Sequence, residues 1–124
     1  MVYLSAAEFD RVVERALGRI PRRFRKLLDN IVLVVEDKPP RPDLLGLYKG
    51  RPRTVRGVSD SFVLPDQITI YQRPHEQLAR NVAELEQLVA DTVWHEVGHY
   101  FGMSESQIRQ AERRFARQRR TSLA

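Results

Sequence analysis

The sequence centres on one stretch, which reads His95-Glu96-Val97-Gly98-His99-Tyr100-Phe101-Gly102-Met103-Ser104-Glu105. Its first five residues spell the pattern H-E-x-x-H. Residues four apart on an α-helix share one face, so His95 and His99 can both present an imidazole nitrogen to a single metal ion. Glu96 follows about 100° further round the helix. There its carboxylate can serve as the general base for a water molecule that the metal activates.

The surrounding residues support a helix at this position. Apolar residues recur at helical spacing and predict a helix that begins near Glu84 and stops at Gly102, a residue type that commonly follows a helix C-terminus: Leu85, Leu88, Val89, Val93, Val97 and Phe101. Of the three histidines in the chain, the motif contains two. This concentration argues against a chance pair of surface histidines.

A third metal ligand is expected beyond the motif, because a catalytic zinc site takes three protein ligands and leaves a position for water. Gly102 comes three residues after His99, and Glu105 three residues after Gly102. The layout H-E-x-x-H-x-x-G-x-x-[H/D/E] therefore predicts Glu105 as the third ligand. His75 and Glu112 are competing donors, and Glu105 would also suit the first turn of the last helix through the helix dipole alone.

Residues next to the motif offer weaker signals. Asp91 lies on the preceding turn of the helix and is a candidate to accept the second N–H of His95, as carboxylates often do for ligating histidines. A solvated surface carboxylate is the competing interpretation. Trp94 and Tyr100 flank the ligands and are interpreted as core or pocket wall.

The length and composition indicate one domain. The chain has 124 residues, 42% hydrophobic and 30% charged, which is enough for one core and little more. We predict a single domain over 1–124, with 113–124 as a frayed basic tail. Because the chain has no cysteine, any metal must be held by histidine and carboxylate.

The net charge and the targeting signals limit which partners and which location are predicted. There is neither a secretory signal pattern nor an apolar run of membrane-spanning length, which predicts a cytoplasmic protein without a membrane partner. The net charge is +5 and arginines crowd the last helix. A nucleic-acid partner is therefore considered but not favoured, since basic helix faces are usually only solvated. The oligomeric state is not predicted.

The remaining patterns predict an α+β fold. Ser5 and Glu8 form a capping box for the first helix, and the β-branched run from Ile31 to Val35 suits a strand covered on both faces. The predicted helices are one over about residues 5–19, a short one after Pro21, a helical turn in 75–81, the motif helix, and a last helix capped by Ser104. The predicted strands are Ile31–Val35, one within Leu44–Thr54, Phe62–Leu64, and Gln67–Tyr71, which Pro74 closes.

In combination these features resemble the minimal zincins, small bacterial metallopeptidase-like domains. The resemblance rests on four segments: Ile31 to Pro39, Leu45-Gly46-Leu47-Tyr48-Lys49-Gly50, Leu64-Pro65-Asp66-Gln67-Ile68-Thr69-Ile70-Tyr71, and His95 to Glu105. It implies a compact zincin-like fold, with a small mixed sheet packed against an active-site helix and the N- and C-terminal helices. It also implies zinc at His95, His99 and the acidic residue at position 105, which is usually Asp.

The leading functional hypothesis is a zinc-dependent peptidase. Glu96 would be the catalytic base, and a peptide or protein substrate would lie extended along a sheet edge near Leu64 to Tyr71. Two alternatives remain. A zinc-binding module without turnover is suggested by the short sequence after Glu105, and action on nucleic-acid-bound proteins is suggested by the basic last helix.

Overall fold

The computed structural model describes residues 1–50 and 65–123, with residues 115–123 described by their backbone alone. The strand predicted at Phe62–Leu64 falls outside these ranges. The described elements are, in order, α1 (Ala6–Gly18), α2 (Arg22–Arg25), β1 (Ile31–Glu36), β2 (Gly46–Lys49), β3 (Asp66–Tyr71), α3 (Gln72–Leu78), α4 (Val82–Tyr100) and α5 (Glu105–Leu123). This mixture of helices and strands confirms the predicted α+β class.

The described strands form a mixed sheet in the order β1-β3-β2. β1 runs parallel to β3, with Ile31 opposite Asp66, and β2 runs antiparallel to β3, with Gly46 opposite Ile70. β3 is thus the central strand and the most buried one. β1 pairs with β3 alone among the described strands, and its Val32 is 43% exposed. It is covered less fully than its continuous apolar run predicts.

One hydrophobic core joins the sheet to the helices. The helix that carries the motif lies at the centre of the packing, because many fully buried members of the core come from α1, β3, α4 and α5, among them Phe9, Ile68, Ile70, Leu85, Val89, Val93, Val97 and Ile108. Each such side chain contributes about 1.5–3 kcal/mol on burial. The core therefore fixes α4 firmly and, through Ile108, also the beginning of α5.

The helix caps explain where the helices begin. The predicted capping box at Ser5 is present on α1. α4 begins earlier than predicted, at Val82, because the Asn81 side chain accepts a hydrogen bond from the Glu84 backbone N–H at 2.9 Å. α3 already begins at Gln72 and includes Pro74, which the first turn tolerates because N–H groups there have no partner within the helix.

α5 is the last described helix, and it begins at a capping box. Ser104 and Gln107 exchange backbone and side-chain hydrogen bonds of 2.8 and 3.1 Å, which confirms the predicted capping box. The backbone is helical through Leu123, and the fraying of residues 113–124 stays a prediction. None of the helices in the described ranges combines the length and apolarity that crossing a membrane requires.

His75 of α3 is a core histidine that ties α3 to α4. It is fully buried, with Nδ1 2.6 Å from the Tyr71 carbonyl oxygen and Nε2 2.9 Å from Thr92 Oγ1. Burial lowers the pKa of His75, and the hydrogen bond to Tyr71 opposes that shift. The folded protein thus favours the neutral imidazole.

This burial predicts a pH dependence of stability. A histidine in the unfolded chain titrates near pH 6.5, roughly, whereas folded His75 titrates lower. At pH values between the folded and the unfolded pKa of His75, the unfolded state binds more protons than the folded state. The stabilisation of the fold by neutral His75 is therefore complete above about pH 6.5 and decreases as the pH falls from there through the lower, folded pKa. Urea unfolding of wild type and His75→Gln between pH 5 and 8 measures the effect. The variant should lose less stability on acidification, and parallel pH profiles would contradict the prediction.

Candidate metal centre

The α4 helix presents both motif histidines on one exposed face. His95 and His99 lie one turn apart, and their rings meet edge to face with centroids 4.8 Å apart. Their side chains are 34% and 37% exposed. Val93 and Val97, on the opposite face, are buried in the core. Core packing of α4 therefore directs the two imidazoles towards solvent.

A glycine turn brings the chain back to these histidines. Gly102 has φ of 75°, and its N–H donates to the His99 carbonyl, while the Met103 N–H donates to the Gly98 carbonyl, both at 3.0 Å. These two bonds form a Schellman motif, in which glycine is favoured because its conformation is left-handed. This confirms the predicted helix stop. The reversed chain then starts α5 at Glu105, over the histidine face.

Three side chains converge at this point. Glu105 Oε1 lies 3.2 Å from His95 Nε2 and 3.2 Å from His99 Nε2. The potential ligand atoms of the three residues all lie within 4.8 Å of one another. Ligand atoms around a tetrahedral zinc with bonds of about 2.0–2.1 Å are separated by about 3.3 Å. Both the spacing and the nitrogen and oxygen donors therefore fit a zinc ion.

The other predicted donors lie elsewhere. His75 is held in the core by its two hydrogen bonds and is not part of the described group of three. Glu112 is also outside that group and lines a cavity further along α5. Asp91 lines the same cavity and accepts a hydrogen bond of 2.8 Å from Gln87 rather than from His95. Its candidate role as partner of His95 therefore stays a prediction.

Glu96 lies beside the three donors in a more buried setting. It is 8% exposed. Burial raises its pKa, His99 and His95 lower it, Glu105 raises it, and a hydrogen bond from the Tyr48 backbone lowers it. The net shift is upward, towards the range in which a carboxylate is an effective base near neutral pH. The structure thus separates two kinds of carboxylate, an exposed one at Glu105 and a buried one at Glu96.

Strand β2 forms the wall next to Glu96. A Cβ atom at Gly46 would lie 2.8 Å from Thr92 Cγ2 and 3.3 Å from Glu96 Cγ. Only glycine permits this approach of β2 to α4, and the approach brings the Tyr48 backbone within hydrogen-bonding reach of Glu96. Sequence reasoning missed this contact. The available signal was a glycine inside a short apolar strand, which often marks close backbone approach.

Gly98, an unspecified position of the motif, permits the contact between α4 and α5. A Cβ atom there would lie 2.5 Å from Ile108 Cγ1 and 2.8 Å from Ile108 Cδ1. Ile108 is fully buried, so its side chain has little room to move. The absence of a side chain at Gly98 thus lets α5 pack close to α4, which holds Glu105 near the two histidines.

Gly98→Ala should therefore destabilise the protein by about 1–2 kcal/mol, because overpacking outweighs the gain in helix propensity. Urea unfolding of Gly98→Ala, Ile108→Ala and the double variant measures the effect. Since Ile108→Ala removes the clashing atoms, the double variant should be more stable than the sum of the single effects predicts. Strictly additive effects would contradict the proposed contact.

Comparison with known proteins agrees with this fold. A family model described as zincin-like metallopeptidase matches residues 28–114. The chain belongs to this family, which confirms the resemblance to the minimal zincins. Among solved structures, the chain is similar to a conserved hypothetical protein from Thermo thermophilus, with a TM-score of 0.55 and 26% identity over 79% of this chain and 94% of that one. No match was found among the curated proteins.

Proposed function

We propose that this protein is a zinc-dependent metallopeptidase that hydrolyses peptide bonds in peptides or proteins. One observation carries the proposal: a carboxylate oxygen of Glu105 lies 3.2 Å from the Nε2 atoms of both His95 and His99. These three residues would hold the zinc ion. Their side chains are between 34% and 51% exposed, so the ion would keep an open side for water and substrate, as a catalytic zinc site requires.

Glu96 is the proposed catalytic residue. When bound, zinc would supply a Lewis acid that activates water and polarises a carbonyl group. Glu96 accepts the proton of the attacking water and transfers it to the leaving amine. Burial raises the pKa of Glu96. A raised pKa suits both its acceptance of the proton from water and its donation of that proton to the amine. The hydrogen bond from the Tyr48 backbone holds the carboxylate in position.

The structure changes where the substrate is expected. The sequence predicted a sheet edge near Leu64 to Tyr71, but β3 is the central strand and is flanked by β1 and β2. Among the described strands β3 is therefore not an edge strand. β2 is the strand that approaches α4 at Gly46, next to Glu96. We therefore propose that an extended substrate lies along β2, where backbone hydrogen bonds can align it.

Removal and restoration of metal tests the function. We expect one zinc ion per chain by elemental analysis and cleavage of a broad peptide library by the zinc-loaded protein. A chelator should reduce cleavage by more than about 100-fold, since the Lewis acid is lost. Equimolar zinc should restore it, whereas magnesium, which prefers oxygen ligands, should not.

The outcomes separate the alternatives. Zinc binding without any cleavage would favour a zinc-binding module without turnover. A protein that binds no zinc would contradict both the site and the reaction.

A further inference from the structure

A surface cavity of about 170 Å³ lies beside the candidate metal centre, between α1, α4 and α5. Its wall includes Asp91 and Trp94 of α4 and Glu112 of α5. Asp91 precedes His95 by one helical turn, about 6 Å along the axis. Trp94 comes directly before His95 in the sequence. Glu112 lies on the same face of α5 as Glu105, two turns further on. The cavity thus shares both of its main helices with the proposed zinc ligands.

The inner wall of the cavity is apolar. Ile20, Pro21, Ala90 and Trp94 contribute to it, and Trp94 is only 5% exposed. Its volume is similar to that of a cavity of about 150 Å³ that holds one benzene molecule. One long side chain would therefore fill it.

Two carboxylates give the cavity its charge. The pKa of Glu112 is raised by burial, by Asp91 and by Glu105, and is lowered by His95 and Arg109. Burial also raises the pKa of Asp91, against the hydrogen bond from Gln87 and the charge of Arg19. The charges of Asp91 and of the metal-site residues His95 and Glu105 therefore act on Glu112.

Among the side chains that the structure describes, one cation also lines the cavity. Arg19 donates a hydrogen bond of 3.0 Å to Gln87 Oε1, and Gln87 donates one of 2.8 Å to Asp91. Gln87 thus links the guanidinium to one of the carboxylates. With Asp91 and Glu112 against Arg19, the described part of the lining has more negative than positive charge. A positively charged guest is therefore favoured over an anionic one.

We propose that this cavity is a substrate subsite for a basic side chain, arginine or lysine, close to the bond that is cleaved. Asp91 and Glu112 would bind the charged head, and the wall formed by Ala90 and Trp94 would cover the aliphatic stem. Long basic side chains combine these two properties, and carboxylates bind guanidinium strongly. The inference rests on the proposed peptidase function and adds its substrate class, peptides with a basic residue near the cleavage site.

A binding experiment tests the subsite without catalysis. Trp94 is the only tryptophan of the chain, so intrinsic fluorescence reports on the cavity wall. The metal-free full chain is titrated with N-acetyl-arginine amide, N-acetyl-lysine amide and N-acetyl-norleucine amide. We expect saturable changes with the two basic amides at concentrations at least tenfold below any response to norleucine. Equal responses to all three would overturn the proposal.

Substitutions in the cavity test whether the basic amides bind there. The double variant Asp91→Asn/Glu112→Gln should weaken binding of arginine amide at least tenfold. Asp10→Asn/Glu14→Gln removes the same charge from exposed positions of α1 and should retain binding. Ala90→Leu fills the cavity without changing its charge and should also weaken binding. Retained binding in both cavity variants would overturn the subsite.

Cleavage then separates this inference from the peptidase proposal. Zinc-loaded wild type is compared on peptides that differ at one position near the cleaved bond. The ratio of kcat/KM for arginine over norleucine should be at least ten and should approach one in Asp91→Asn/Glu112→Gln. Cleavage without this preference would overturn the subsite alone. Arginine binding without cleavage of any peptide would support the subsite and contradict the peptidase function.

Discussion

Glu96→Gln is expected to lower kcat/KM for peptide hydrolysis by about 10³-fold, within the range that general acid–base catalysis usually contributes. Glutamine keeps the shape of the side chain and can still accept the hydrogen bond from the Tyr48 backbone. It cannot accept the proton from water or return one to the leaving amine. Initial rates on a cleaved peptide, measured at saturating zinc, would give the effect.

The same substitution elsewhere on α4 provides the control. Glu86 lies ten residues before Glu96, about 15 Å along the helix, where it pairs with Arg15 at 2.7 Å. Glu86→Gln should keep the wild-type rate. Both variants should bind zinc as wild type does, so that a lower rate in Glu96→Gln reflects proton transfer. A Glu96→Gln enzyme with undiminished activity would remove Glu96 from the mechanism.

The grouping of His95, His99 and Glu105 could be predicted from the sequence because its geometry is local. His95 and His99 are one helical turn apart, and the apolar stripe of α4 sets which face they occupy. Gly102 ends the helix through hydrogen bonds to residues within the preceding turn, and Glu105 follows directly. The motif, the turn and Glu105 lie within eleven residues, and the apolar stripe lies on the same helix, so the sequence could show these relations before any tertiary structure was known.

The long-range contacts of the site were out of reach of such reasoning. His75 is a residue type that can bind zinc, and only the packing of α3 against α4 shows that its imidazole is instead buried in the core and hydrogen-bonded to Thr92. Gly46 gains its role from Thr92 and Glu96 of α4, which lie far away in sequence, and Gly98 gains its role from Ile108 on the next helix. The central position of β3 depends on strand order, which local patterns do not encode. The prediction that this strand forms a sheet edge failed for the same reason.

Loss of a zinc ligand should have the second large effect. His99→Ala and Glu105→Ala are each expected to weaken zinc binding by more than about 100-fold, since loss of an outer partner already costs about 10–100-fold. His99 supplies a nitrogen, and Glu105 supplies the oxygen that lies 3.2 Å from both imidazoles. Competition with a chromophoric chelator at constant pH gives the affinities.

The competing donors serve as matched controls. His75→Gln and Glu112→Gln remove a histidine and a glutamate that lie outside the described group of three, so both should keep near-native zinc affinity. Zinc at about 100 times its dissociation constant should stabilise wild type by about 2.7 kcal/mol, and the same concentration should leave His99→Ala almost unchanged. An equal loss of affinity in Glu112→Gln and Glu105→Ala would contradict the assignment of Glu105, because it would show that the third ligand is not fixed by the turn at Gly102.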